Sequence, residues 1–456
     1  MVFKKLFMTG IIACCLSAVL LNSANSKKSS RVFSENHDYY KNFLSEGIEY
    51  QPTTKNIFNA DITYLFADLK YRDGALKICE FGQGKNAATA MTDILIKGNL
   101  ENVVTPYWPM FWNYLAQFNV PIWYVGPEIK KQRTSPGVLS LYESIAWDVF
   151  QDIGGYCVKD LAQLEVDQRF QTQKNTRKIF CADTINTYKA IIVYRYRDDR
   201  FLSHQQALEN FKQAHPDCLV IDTVSWEYAA SKEKLAWLIQ EAGLSQYKPK
   251  WGIYSKSYTP DLAQKITNDL GCDMFVIKPV NSGRSNGIIF VEKKDLDTVL
   301  KKILCKKNSQ KNSQKNSKEA SLSTLNYRPY ATQLFEYWEL DPNDVFMVEE
   351  YQSSKNITIK NNTYDPTMRI VFTLCYTNGK IYAHILGGYW KIPALALDQS
   401  GDVTAKHKTV SVKTPGFTGL CVSRVDMCNM KKLAYDFLPK IYEAMLEKNL
   451  QKHMCV

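Results

Sequence analysis

The stretch that most constrains this chain is Phe275-Val276-Ile277-Lys278-Pro279, followed by Val280-Asn281-Ser282-Gly283-Arg284-Ser285-Asn286-Gly287 and then Ile288-Ile289-Phe290-Val291. Two apolar runs around a glycine- and serine-rich turn predict an antiparallel hairpin with a lysine at the end of its first, buried strand. Glycines in such a turn let backbone N–H groups approach phosphate oxygens, and the lysine adds a point charge. The alternative is a surface hairpin with a lysine beside it. The segment alone leaves both open.

The rest of the chain says what kind of protein surrounds this hairpin. Its 456 residues predict two to four domains at about 100–200 residues each. With 45% hydrophobic and 23% charged residues, the composition is that of an ordinary globular protein, which excludes disordered, collagenous and small disulfide-stapled classes. The formal charge is +11, but residues 301–318 contribute seven lysines and no acid. Within it, Lys306–Lys318 repeats Lys-Asn-Ser-Gln without an apolar residue, which predicts a solvated, mobile insertion over 305–326. A nucleic-acid partner is therefore not expected.

Before residue 225 the pattern is α/β. Tyr64–Leu69 and Leu76–Phe81 flank the turn Arg72-Asp73-Gly74 as a hairpin. Gly82-Gln83-Gly84-Lys85-Asn86-Ala87 fits a loose dinucleotide pattern, the plainer reading being a turn that needs positive φ. Eight aromatics between Tyr107 and Tyr124 read as core packing rather than a ligand groove. Strands at Ala190–Tyr194 and Cys218–Asp222 enclose a helix around Gln205–Ala214. After it, helices are expected from Ser231 to Gly243, near Leu262–Leu270, over Leu296–Leu304 and from about Met427 to Lys448. Strands are expected at Val345–Tyr351, Met368–Tyr376 and Ile381–Gly387.

At the N-terminus, Lys4 and Lys5 precede an apolar run from Leu6 to Leu21 and a candidate cut after Ala24. Residues 1–25 thus read as a signal peptide or membrane anchor, with Cys14 in a lipobox-like setting as a further option. The protein is expected to be exported, either secreted or membrane-anchored. The ten cysteines beyond this segment include no CxxC pair and read as buried free thiols. The six histidines are dispersed, so no zinc site is expected.

Four further segments carry charge at strand or helix ends. Phe346-Met347-Val348-Glu349-Glu350-Tyr351 is an apolar strand ending in two acids and an aromatic, suited to reading adenine's edge and accepting ribose hydroxyls. Tyr364-Asp365-Pro366-Thr367-Met368-Arg369 opens a strand with an acid and an arginine. Gly387-Gly388-Tyr389-Trp390-Lys391 offers another cation, and Ser231-Lys232 places a lysine at a helix start.

In this order the features resemble the ATP-grasp superfamily, which includes glutathione synthetase, D-alanine–D-alanine ligase and tubulin tyrosine ligase. The resemblance covers about residues 220–395. It implies an α/β and α+β chain: an open α/β pre-ATP-grasp domain over 30–225, then a two-lobed ATP-grasp domain over 226–456. It implies ATP and Mg2+ as cofactors. Lys232 and Lys278 would hold the α- and β-phosphates, with Ser282, Gly283, Arg284, Ser285 and Gly287 closing over them. Glu349, Glu350 and Tyr351 would seat adenosine, while Arg369 and Lys391 would neutralise the transferring phosphoryl group. The reaction implied joins a carboxylate to an amine of an amino acid, peptide or protein through an acyl-phosphate.

Two departures stand out. Asp365 lies four residues before Arg369 rather than two, with Thr367 at the expected acidic position. The family's terminal E-x-N metal motif is absent, its nearest local candidates being Asp426 and Asn429, where Ser423-Arg424-Val425-Asp426 reads equally as helix-start chemistry. A nucleotide-binding protein without catalysis, and an exported adhesion protein using the 107–124 aromatics, are the alternatives. Export and ATP use are reconciled by delivery into a nucleotide-rich host cell or by anchoring of a cytoplasm-facing enzyme.

Overall fold

The computed structural model describes residues 47–54, 59–84, 107–126, 149–173, 177–181, 184–194, 201–282, 286–305, 337–409 and 418–454. The chain divides into Met1–Gly47 and Ile48–Val456; of the first unit only Gly47 is described. The expected signal or anchor segment, residues 85–87 of the glycine turn and residues 306–326 of the expected insertion lie outside the described residues. Among the described residues no helix is long and apolar enough to cross a membrane. The fold is mixed α/β and α+β, as the sequence implied.

Along the second unit, β1 (Ile48–Tyr50) precedes the hairpin β2 (Asp61–Arg72) and β3 (Ala75–Gln83). Asp73 and Gly74 turn it with φ of 51° and 76°, the left-handed pair that two-residue hairpins favour. Helix α1 (Tyr107–Ala116) leads into β4 (Ile122–Val125), and β5 (Tyr156–Val158) follows. The short helices α2 (Leu161–Val166) and α3 (Gln168–Gln171), the ribbon β6 (Arg177–Cys181) and β7 (Thr184–Tyr188), β8 (Ala190–Tyr194), α4 (Phe201–Ala214) and β9 (Cys218–Val220) complete this region. Strands β5-β4-β8-β9 form a parallel sheet whose apolar side chains, among them Trp123, Ile192 and Val220, make one core with Leu164, Phe170 and Phe211. Of the 107–124 aromatics, Tyr107, Phe111, Trp112, Tyr114, Trp123 and Tyr124 are buried, so the core reading holds.

Helices α5 (Trp226–Ala230) and α6 (Lys232–Glu241) come next, with Ser231 capping α6 by accepting from Lys234 N at 3.3 Å. The stretch through Pro249 continues into β10 (Trp251–Ser255). Helix α7 (Leu262–Leu270) ends at Gly271, whose φ of 63° makes the left-handed cap. Strands β11 (Met274–Pro279) and β12 (Ile289–Glu292), helix α8 (Leu296–Leu304) and β13 (Val345–Glu350) complete an antiparallel sheet of order β10-β13-β11-β12. Helices α7 and α8 bury Leu262, Ile266, Leu270, Leu296, Leu300 and Ile303 against it, each such side chain contributing about 1.5–3 kcal/mol.

Last come the ribbon β14 (Ile357–Ile359) and β15 (Asn362–Tyr364), the long strands β16 (Thr367–Thr377) and β17 (Lys380–Ile392), α9 (Val403–His407), β18 (Thr418–Cys421) and α10 (Arg424–Met454). A six-stranded sheet runs β1-β17-β16-β2-β3, with β18 also pairing with β17. It therefore draws strands from both sides of residue 225. The early hairpin does not stay with the parallel sheet that follows it in sequence but pairs with β16 some three hundred residues on, Asp68 opposite Arg369.

The glycines of the loose dinucleotide pattern have a packing reason instead. Gly82 lies in strand β3, and a Cβ there would come within 2.2 Å of the Phe66 ring. Neither it nor Gly84 has positive φ. Glycine here makes room for aromatic rings rather than for phosphate or a tight turn.

Candidate functional site

The floor of the site is one face of the six-stranded sheet. Glu80, Asp68, Arg369 and Tyr389 occupy successive opposite positions on β3, β2, β16 and β17, and opposite residues share a face. Arg369 grips Asp68 through two bonds, Nε to Oδ1 at 2.6 Å and Nη2 to Oδ2 at 2.8 Å. Lys391 donates to Oδ2 of the same carboxylate at 2.8 Å, and the guanidinium lies 3.8 Å from the centre of the Phe66 ring. Burial pushes the Asp68 carboxyl up, but Arg369 and Lys391 outweigh it and hold it well below the usual range. Arg369 is correspondingly raised, burial being outweighed by Asp68. Lys391 is lowered, by burial and then by the neighbouring Arg369.

A slip in register between Asp68 and Leu69 leaves Cys79 as the extra residue of a β-bulge. Strict alternation would turn neighbours to opposite faces; the bulge lets both Cys79 and Glu80 border the cleft. Lys248 takes up nearby carbonyls, donating to Ile78 O at 3.2 Å and Cys79 O at 3.3 Å.

The opposite wall repeats the pattern. Glu349 on β13 accepts from Lys248 through Oε1 at 2.5 Å and from Lys278, at the end of β11, through Oε2. All three side chains are buried. Burial raises Glu349, yet Lys248 and Lys278 hold it below its ordinary value. Lys278 is raised, its burial outweighed by Glu349; Lys248 is lowered by burial in spite of Glu349, with Lys278 adding repulsion.

In each triad one cation goes up and the other down, because one carboxylate cannot neutralise two.

Between them stands Lys232, the first residue of α6, whose backbone N–H binds Val280 O at 3.0 Å and so ties the helix start to the glycine hairpin. Its ammonium donates to Ser282 O and Oγ and lies 3.9 Å from Glu80 Oε2. Burial, and then Lys278, lower it despite Glu80. A buried lysine at the positive end of a helix is an unfavourable placement unless an anion joins it. Glu80 also acts on Lys278, Arg369 and Lys391. Five cations (Lys232, Lys248, Lys278, Arg369, Lys391) thus gather around three carboxylates (Asp68, Glu80, Glu349).

Asp68, Glu80, Lys278 and Glu349 border a cleft that opens to solvent. Its apolar lining comes from Val276, Ile288 and Phe290 of the hairpin, with Tyr351 and Glu350 beside them. The remaining side is built on Asp365, which accepts from Lys70 Nζ at 2.8 Å, Tyr351 Oη at 2.8 Å and Ser354 N at 2.7 Å, with His407 Nδ1 3.0 Å away. Burial opposes its ionisation, but Lys70 and His407 bring its pKa down to about 2.

The structure thus brings Lys232, Lys278, Ser282, Glu349, Arg369 and Lys391 to one region and lines its cleft with Glu350 and Tyr351. Three placements differ from the expected roles. Both oxygens of Glu349 are occupied by lysines, so its carboxylate is a clamp rather than an acceptor for ribose. Arg369 and Lys391 are buried against Asp68 and do not line the cleft. Asp426 is bound to Lys355 at 2.8 Å and exchanges hydrogen bonds with Ser423, the helix-start chemistry of α10, with Asn429 three residues further along the same helix. Gly283, Arg284 and Ser285 lie outside the described residues. Gly287 is described, with φ 70° and its carbonyl held by Trp338 Nε1 at 2.9 Å.

Sequence reasoning missed Asp68, Lys70, Glu80, Lys248, His407 and Lys408. One signal was present: Asp68 and Lys70 interrupt the apolar run from Tyr64 to Tyr71, and charges inside a buried strand need partners. Among the described residues, no group of three or more His, Cys, Asp or Glu side chains is placed to hold a metal by itself.

No family model matches the chain, and no curated protein matches it. Solved structures do. A protein from Methylobacillus flagellatus KT described as a gamma-glutamylcysteine synthetase is similar over 92% of this chain and 94% of its own, with 9% identity and a TM-score of 0.35. D-alanyl-alanine synthetase A from Vibrio cholerae O1 is similar over 72% of this chain and 81% of its own, with 11% identity and a TM-score of 0.34. The D-cycloserine synthetase DcsG is similar over 71% and 81%, with 10% identity and a TM-score of 0.33.

Proposed function

We propose that the cleft binds ATP with Mg2+ and that the chain is an ATP-dependent ligase joining a carboxylate to an amine through an acyl-phosphate. The observation that carries this reading is the pair of buried triads, Lys248–Glu349–Lys278 and Arg369–Asp68–Lys391, each with one cation more than its carboxylate can neutralise. Buried surplus charge is costly, and an anion entering between the triads offsets it. Five cations against three carboxylates leave a surplus that suits a dianion, the charge of a nucleoside triphosphate carrying one divalent cation.

In this reading the apolar wall of Val276, Ile288, Phe290 and Tyr351 takes the base, and Glu350, not Glu349, accepts ribose hydroxyls. Lys278 and Lys232 hold phosphate oxygens through their ammonium groups. Glu80 is the residue that would hold Mg2+, because both oxygens of Asp68 are taken by Arg369 and Lys391. The Glu80 carboxylate is a hard oxygen donor, and Mg2+ usually takes only one or two carboxylates plus phosphates and water. Mg2+, when bound, neutralises phosphate charge. Arg369 and Lys391, held by Asp68 on the floor sheet, would supply positive charge to offset the negative charge developing on the transferring phosphoryl group. The γ-phosphoryl's bond to the ADP oxygen breaks as its bond to the substrate carboxylate oxygen forms. The amine nitrogen then attacks the acyl carbon, the C–O bond to phosphate breaks, and the amine proton passes to solvent. The substrates would be an amino acid, peptide or protein carboxylate and amine. Export, with the N-terminal segment as signal or anchor, and delivery to a host cell remain part of this proposal.

A binding-only protein is the second reading, favoured by the locking of Arg369 and Lys391 onto Asp68. The exposed-adhesin reading loses its basis, since the aromatics it relied on are largely core. ADP release from Mg-ATP across candidate carboxylates and amines separates the first two. Sustained turnover supports the ligase, and Mg-ATP binding without turnover supports the binding protein.

A further inference from the structure

Lys408 belongs to no motif, yet it lines the cleft and is buried. It is delivered there by a strap formed by residues 402–409. Asp402 caps α9 by accepting from Thr404 N at 3.0 Å. Thr404 is itself buried and reaches the edge strand β12, accepting from Phe290 N at 3.2 Å and donating to Phe290 O at 3.3 Å. An edge strand has peptide groups with no neighbouring strand to pair with, and one hydroxyl here serves both groups of Phe290.

At its other end the strap is held by His407. The ring packs on Phe290 and Tyr351, with centroids 5.8 and 4.8 Å apart, and Nδ1 lies 3.0 Å from both Tyr351 Oη and Asp365 Oδ2. The strap is thus fastened to the second strand of the glycine hairpin and to the acid beside the floor sheet. Lys408 and Thr409 follow directly, inside the cleft.

We propose that Lys408 is an oxyanion-binding lysine of this cleft, serving the phosphate chain of the bound nucleotide and presented by the 402–409 strap. The proposal rests on the nucleotide reading of the cleft. Burial, only partly offset by Asp402, brings the Lys408 ammonium down to about 8, the direction expected of a cation taken out of water.

The test uses the full chain and two ligands, Mg-ATP and adenosine, titrated into wild type, Lys408→Met and Thr404→Val. A buried charge-assisted hydrogen bond makes a loss of about tenfold or more in Mg-ATP affinity the expected result for Lys408→Met, with adenosine affinity unchanged. Thr404→Val, which keeps the lysine but unfastens the strap from Phe290, should weaken Mg-ATP in the same direction. Acylation of Lys408 in the wild type, followed by mass spectrometry, should be slowed by saturating Mg-ATP, a measurement that requires no variant to fold. Equal Mg-ATP affinity in wild type and Lys408→Met, or acylation indifferent to saturating Mg-ATP, overturns the assignment of Lys408 and leaves the cleft reading intact. Failure of the wild type to bind Mg-ATP overturns both.

Discussion

Asp68 and Glu80 lie directly opposite each other on β2 and β3, but they do different work. Asp68 is the buried centre of a triad with Arg369 and Lys391, whereas Glu80 is only partly buried and touches the network at its edge. Asp68→Asn leaves two buried cations without a carboxylate and should cost about 3–5 kcal/mol of stability, read as a lowered midpoint in denaturant. Glu80→Gln should leave the midpoint nearly unchanged and weaken the Mg2+ dependence of nucleotide binding. Equal stability losses in the two variants would refute this division of labour.

Lys278 and Glu349 should show the opposite asymmetry between stability and binding. Lys278→Ala still leaves Lys248 to neutralise Glu349, so the protein should stay folded with a small loss. Glu349→Ala buries two ammonium groups with nothing between them and should cost about 3–5 kcal/mol. Thermal melts of both variants, without nucleotide, check the order.

Asp365 makes stability depend on acid. Its folded-state pKa is about 2 against an ordinary 3.8, so the folded carboxylate binds its proton more weakly than the unfolded one. Its contribution is present above the ordinary value and is lost as pH falls through about 2, an amount of about 2 kcal/mol. Lys70→Met removes the leading partner and should flatten this part of the profile, measured by denaturant unfolding between pH 5 and pH 2, roughly the span over which a paired carboxylate loses its contribution.

Anion binding should take up protons at alkaline pH. Lys232, Lys248 and Lys391 are all lowered in the ligand-free cleft, chiefly by burial, and a polyanion raises each of them again. Titrations in two buffers of different ionisation enthalpy should show net proton uptake. Net release would contradict the charge assignment.

Much of this fold was legible because its signals are local. The period of α7 and α8, the stop of α6 at Gly243, the Asp73-Gly74 turn and the apolar strand ending at Lys278 each depend on neighbours a few residues away. The positions of Lys232 and Lys278 were legible for the same reason: each sits at the end of an element. What the sequence hid is non-local. Asp68 and Arg369 are 301 positions apart, Lys248 and Glu349 are 101, and no periodicity announces such pairs. Hence Glu349, read as a ribose acceptor from its strand alone, proves to be a clamp once Lys248 is seen to reach it. The hairpin around Asp73 was visible, but not its partner β16, because strand pairing across a crossover is set by burial and not by spacing.

The most direct measurement is a calorimetric titration of the full chain with Mg-ATP, for wild type and Lys278→Ala. The account predicts saturable one-site binding by the wild type and its loss in the variant. No binding by the folded wild type, or equal binding by both, would contradict it.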